Sequence, residues 1–184
     1  MKDINLFPTF NSIYLKKISS KSDISPNDIC DGYLIEADEK EARKITESKT
    51  KKIIALRGGD DTFNRRAIET LKINYLISPE KFSKKDSLKQ KDSGINHVVA
   101  KEAVRKNVAI IIDINEILKL PKEEKAQRLS KIIQNIKISR KSKCKIKIAS
   151  LAERKENIVN EYGRKSLGTI LGMSSEQAKK SVEF

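Results

Sequence analysis

Apolar residues in this chain gather into short runs, and between the runs they recur every three or four positions. The runs "INLF", "GYLIEA", "KIIALR", "INYLI", "VAIIID" and "IKIA" predict strands. The intervening spacing predicts helices over Asn11 to Ser20, Glu39 to Ser48, Asp61 to Leu71, Asn96 to Lys106 and Lys122 to Lys141, with two more after Asn157. Strand alternating with helix implies parallel strands and right-handed crossovers. The choice then lies between a doubly wound sheet and a (β/α) barrel. Six runs are too few for a complete eight-stranded barrel, though a compact or incomplete barrel would fit the length; either way the expectation is an α/β fold, one domain over residues 1–184.

Composition narrows the class. Apolar residues make up 38% of the 184 and charged residues 35%, so a core is feasible and the surface is strongly ionic. The longest apolar run, "VAIIIDI", is interrupted by Asp113 and far shorter than a membrane span. The first residues, "MKDINLFPTF", show no secretory h-region, which makes the cytoplasm the expected location. Cys30 and Cys144 stand apart from each other and from any Cys/His cluster, so they read as small apolar fillers. The net charge of +14 is concentrated: residues 81–147 hold 19 Lys and Arg against 7 Asp and Glu, while 1–80 and 148–184 are each nearly balanced. A uniformly lysine-rich surface would spread that excess, whereas a polyanion-binding region concentrates it.

Three segments carry candidate chemistry. In "LRGGDDTFNRRAIE", Gly58 and Gly59 permit a tight strand-to-helix turn, and Arg65 and Arg66 sit early in the helix as candidates for phosphate. No phosphate-loop or dinucleotide glycine pattern is present. In "KDSGINHVVAKEAVRKNVAI", Lys91, the single histidine His97, Lys101 and Lys106 surround a helix start; His97, Lys101 and Arg105 share one stripe, and Val99, Ala103 and Val104 face the core. His97 is placed either to meet a phosphate or base or to make a structural hydrogen bond; general acid/base work would need a second positioned group, and none is singled out. In "IQNIKISRKSKCKIKIAS", Arg140, Lys141 and Lys143 close a long helix, where the dipole alone accounts for one or two cations but not for six in eleven residues. Lys145 and Lys147 alternate with Ile146 and Ile148. With aromatics at 5% and no Trp, contact with RNA should rest on backbone phosphate and shape rather than on stacking.

The elements "ALRGGDDTFNRRAIE", "INYLISPE", "DSGINHVVAKEAVRKNVAIIIDI", "QRLSKIIQNIKISRKSKCKIKIAS" and "LGTILGM", in this order and spacing from about Leu56 to Met173, resemble archaeal ribonuclease P protein component 3, the relative of the thirty-kilodalton eukaryotic subunit. Matching positions are Asp60, Asn64 and Arg65, then Asp92, Ser93, Gly94, Asn96, His97 and Lys101. Asn74 stands where the resemblance leads one to expect an acidic residue, Leu151 stands in place of a glycine, and "NEYGRKSL" replaces an Arg-Ser-Pro-Arg-like stretch. The resemblance implies a TIM-barrel-like (β/α) barrel of the PHP phosphoesterase type, within a ribonucleoprotein whose RNA removes 5′ leaders from precursor tRNA. It also implies pairing with ribonuclease P protein component 2, among other protein subunits, and chemistry at Mg2+ bound by the RNA rather than by the protein. An autonomous metal-dependent phosphoesterase or nuclease is the alternative, and an architectural subunit held by a protein partner is a third class. One histidine precludes a His-rich metal cluster; a carboxylate-only set of Asp60, Asp92 and Asp113 is left open. The expected RNA-binding surface is Arg65, Arg66, Lys91, His97, Lys101, Lys106, Arg140, Lys141 and Lys143, with no catalytic residue on the polypeptide.

Overall fold

A computed structural model describes residues 2–48, 50–82 and 92–184. Strands β1 (Asp3–Asn5), β2 (Ser12–Ile18), β3 (Gly32–Ile35), β4 (Ile53–Arg57), β5 (Tyr75–Ile77), β6 (Ala109–Asp113) and β7 (Ile146–Ala149) form one sheet in sequence order. Every neighbouring pair is parallel. Helices α1 (Glu39–Thr46), α2 (Asp61–Thr70), α3 (His97–Arg105), α4 (Ile114–Lys119), α5 (Lys122–Ser142), α6 (Glu161–Ile170) and α7 (Ser175–Ser181) complete the fold.

The sheet curls until its first and last strands meet. The Leu151 amide donates to the Ile4 carbonyl at 2.9 Å and the Leu6 amide to the Ala152 carbonyl at 2.8 Å. Side chains of β1 reinforce this seam: Asp3 accepts from the Ser150 amide and the Arg164 guanidinium, and Asn5 accepts from the Ala152 amide. A nearly closed seven-stranded barrel results. Alternation then sorts the apolar residues. Ile4, Ile13, Leu15, Leu34, Ala55, Ile77, Ile111 and Ala149 fill the interior. Tyr33, Ile35, Ile54, Leu56, Ile110, Ile112 and Ile148 point outward against the helices.

The pattern missed one strand. Tyr14, Leu15 and Ile18 have helical spacing, yet Ser12–Ile18 is β2, because pairing with β1 on one side and β3 on the other lets Ile13 and Leu15 line the interior. The short α4 was also not foreseen, whereas the other strands and helices fall within a few residues of expectation. Helices in such units run antiparallel to the strands, so their first turns flank the carboxyl end of the barrel and their last turns the amino end. Among the described residues, no helix is long and apolar enough to cross a membrane.

Candidate nucleic-acid interface

The carboxyl end of a parallel barrel is where enzymes of this architecture keep their chemistry. Alternation along β4 turns Arg57 inward there, beyond Ile53 and Ala55. Its guanidinium reaches Asp113 at 3.0 Å, Glu36 at 3.1 Å and Glu116 at 3.4 Å. Lys81 meets Glu116 at 2.7 Å, and Arg128 lies 3.7 Å from Glu80 and 3.8 Å from Glu116. Burial opposes the Arg57 charge, but Asp113, Glu116 and Glu36 outweigh it and hold its pKa above the ordinary value. Burial pushes the Asp113 carboxyl up despite Arg57, and pushes Glu80 up to about 7. Glu116 stays below its usual range, since Lys81 and Arg57 together exceed its desolvation. A network of ion pairs therefore occupies the mouth. Beside it lies a cleft of about 510 Å³ lined by Glu36, Asp38, Arg57, Asp60, Lys81 and Phe82, which is of mixed charge and not a basic surface.

The three aspartates left open as a cation site do not fit that role. Asp60 caps α2 by accepting from the Phe63 amide, Asp113 caps α4 while paired with Arg57, and Asp92 accepts from the Gly94 amide. Among the described residues, no three His, Cys, Asp or Glu side chains converge to hold a metal ion. Asp61 adjoins Asp92, and burial followed by the Asp92 hydrogen bond and charge pushes its carboxyl up to about 6.

The two motif segments are joined by a buried side chain. Asn64, wholly buried, donates to the carbonyls of Gly59, Pro79 and Gly94 at 3.1, 3.0 and 3.0 Å and accepts from the Gly59 amide at 2.8 Å. It staples the β4–α2 loop to both ends of the β5–α3 connection. Gly94 has φ +78°, and a Cβ there would lie 1.9 Å from the Pro79 carbonyl oxygen. Asn135 of α5 donates to the Ser93 carbonyl, and Asn96 caps α3 through the Val98 and Val99 amides. Asn64, Gly94 and Asn96 thus have structural work, which leaves His97 exposed at the first position of α3.

The remaining candidates lie along one flank, on α2, α3 and α5, which pack in that order. Arg65 and Arg66 are exposed but already paired, with Glu69 at 2.7 Å and Glu39 at 3.1 Å. Such exposed pairs contribute little and can be exchanged for a phosphate. His97, Lys101, Lys106, Lys141 and Lys143 are exposed and make no ion pair among the described residues. Lys106 follows α3 and Lys143 ends α5 in a left-handed turn with φ +59°, so these two lie at the amino end with Arg140 and Lys141, away from His97. Lys91 lies outside the described residues. Val104 departs from expectation: Ala100 takes its place beside Val99 and Ala103 on the buried arc, and Val104 turns toward solvent in the last turn of α3. Lys147 points inward at the amino end, donating to the Lys180 carbonyl and lying over the Phe184 ring. Sequence reasoning missed Arg57 as the centre of the mouth, although the inward positions Ile53 and Ala55 were the available signal.

Fold and site together define a (β/α)-barrel protein with ion pairs filling the mouth and its uncompensated cations on an outer flank. Residues 29–183 match the family RNase P subunit p30, and the chain belongs to that family. Ribonuclease P protein component 3 of Methanocaldococcus jannaschii is 34% identical over 128 residues, covering 66% of this chain and 52% of that protein. Its counterpart in Methanothermobacter thermautotrophicus is 26% identical over 171 residues, 91% of this chain and 67% of that one. The chain thus spans about half to two thirds of the length of these relatives. A chain in the cryo-EM structure of archaeal ribonuclease P with mature tRNA superposes with a TM-score of 0.76 at 24% identity, covering 98% of this chain and 86% of that chain. That likeness establishes the barrel fold.

Proposed function

We propose that this chain is a protein subunit of the ribonuclease P ribonucleoprotein, binding and ordering the catalytic RNA that removes 5′ leaders from precursor tRNA. The observation that carries the reading is the separation of charge in a p30-family barrel: ion pairs fill the mouth, and cations without an ion-pair partner among the described residues line the flank of α3 and α5, beside the exposed, exchangeable pairs of α2. Cations so placed neutralise backbone phosphate and release counterions, a contribution that holds folded RNA strands together without reading bases. Mg2+ held by the RNA supplies the hydrolytic chemistry, and the polypeptide binds no cofactor of its own. Its partners are the ribonuclease P RNA, precursor tRNA in the holoenzyme, protein component 2 and other protein subunits.

Cleavage of precursor tRNA by the cognate RNA at limiting Mg2+, with and without this protein and component 2, tests the proposal. Activity that requires the RNA and survives at lower Mg2+ when the protein is added supports it. Cleavage by the protein alone, loaded with metal, would overturn it in favour of an autonomous phosphoesterase.

A further inference from the structure

A second basic feature lies at the amino end of the barrel, opposite the mouth. A cleft of about 660 Å³ opens between the end of α5, the start of β7 and α7, and Arg140, Lys143, Lys145, Lys147 and Lys180 line it with Glu176 as the one acidic residue. Several of these cations have other contacts. Arg140 donates to the Gly172 carbonyl and the Gln177 side chain, Lys145 to Asn107 at 2.8 Å, and Lys147 to the Lys180 and Glu183 carbonyls. Lys180 pairs with Glu176 at 2.6 Å. These contacts fix the cations in place; Glu176 and Glu183 offset part of the charge of Lys180 and Lys147, and the contacts of Arg140 and Lys145 are with neutral groups. The dipole at the end of α5 accounts for one or two of them.

The floor of the cleft supplies an independent observation. Ser139 lines it at 1% exposure, and its hydroxyl is buried with no hydrogen-bond partner among the described residues. A buried hydroxyl left without a partner costs about 1–3 kcal/mol. A ligand oxygen accepting its proton would remove that cost. We infer that this cleft, which Ser139 lines, is an anion site for an RNA phosphodiester, with Lys143 and Lys145 neutralising its charge and the Ser139 hydroxyl turning out of its buried position to donate to a phosphate oxygen. No aromatic side chain lines the cleft, so the sugar-phosphate backbone is recognised rather than a base. The inference rests on the RNA reading above and extends the contact surface from the helical flank around to the amino end.

The test measures affinity for the ribonuclease P RNA across a salt series, using the full chain. Lys143→Asn keeps a residue tolerant of the left-handed turn, and Lys145→Gln keeps a hydrogen-bond donor for Asn107. The double variant should bind about tenfold or more weakly and reduce the salt slope by about two units. Lys101→Gln on the flank should reduce it by about one unit. Ser139→Ala should bind about tenfold more weakly with a thermal midpoint equal to or above that of the unchanged protein. A salt-dependent wild type whose slope the double variant leaves unchanged removes the cleft and keeps the RNA reading. A wild type with no salt-dependent affinity removes both. A Ser139→Ala protein that melts lower and binds RNA as before assigns the hydroxyl to the fold and overturns its role as a phosphate donor.

Discussion

Arg57→Ala isolates the network at the mouth. Arg57 keeps 12% and Asp113 4% of its side-chain surface in water, so the pair is largely desolvated. Attraction between unit charges about 4 Å apart at an effective dielectric constant of about 20 is roughly 4 kcal/mol per pair. Desolvation costs several kcal/mol per ion, so the intact network contributes little net stability. Removing its one central cation is different, because Asp113 and Glu36 lose the charge that holds them, beside a Glu116 that keeps only Lys81 and, at 3.8 Å, Arg128. The expected cost is about 3–5 kcal/mol at neutral pH. For a chain of this length that corresponds to a fall of roughly 6–20 °C in Tm. The cost should depend on pH with a definite sign. Without Arg57 the pKa of Asp113, already raised by burial, rises further, so the folded variant binds more protons than the unfolded chain. Its deficit is therefore smallest below the unfolded carboxylate range and grows as pH rises through the folded value. Glu116 reinforces this, since its depressed pKa stabilises the wild type above the carboxylate range and that contribution is lost as pH falls. Urea unfolding of both proteins at pH 4.5 and pH 7 measures the difference. A cost under about 1 kcal/mol at pH 7, or one independent of pH, would refute the claim that the network is desolvated.

Asn64→Ala leaves the Gly59, Pro79 and Gly94 carbonyls without their shared donor, and urea denaturation should show a loss of about 2–4 kcal/mol; wild-type stability would mean the staple is redundant. Leu151→Gly relieves a non-glycine φ of +46°, a gain of about 1 kcal/mol, but empties a buried interior position at about 2–5 kcal/mol, so Tm should fall; a rise would show that strain dominates there. Asp61→Asn should raise Tm at pH 7 and leave it unchanged near pH 4, because a carboxyl raised to about 6 favours the fold below the unfolded value and loses that contribution as pH climbs through 6; equal effects at both pH values would contradict the Asp61–Asp92 pairing.

Much of the barrel was legible because burial on both faces leaves continuous apolar runs, as in "VAIIID" and "KIIALR". Strand β2 was not, since Lys16 and Lys17 break its apolar run. Their charges are accommodated only by distant partners, Asp28 for Lys16 and Glu153 for Lys17. The motif residues could be listed as chemistry but not sorted by role. Gly94 and Asn64 are fixed by the approach of the Pro79 backbone, a tertiary contact that no local spacing encodes. Likewise, the partners of Arg57 lie 21, 56 and 59 residues away in sequence, and only closure of the barrel brings them together.

The charge bias of the middle third now has a physical rationale. Its acidic residues Asp113 and Glu116 are drawn inward to Arg57, and Glu102 is held by Arg105, so these three of its seven carboxylates do little to offset the outward-facing cations. The same third contributes Lys101, Lys106, Lys141 and Lys143 to the surface, where no acidic partner meets them among the described residues. Closing the mouth and charging the flank are thus coupled consequences of where the carboxylates go. That coupling separates two uses of one architecture. A barrel that holds hydrolytic metals must keep its inward carboxylates free of a resident cation, because a guanidinium among them occupies their lone pairs and cancels the charge a divalent ion requires. Arg57 imposes that opposite condition on Asp113 and Glu116. Under the function proposed above, RNA would then meet the outer surface, while the ion-paired mouth closes one end of the barrel.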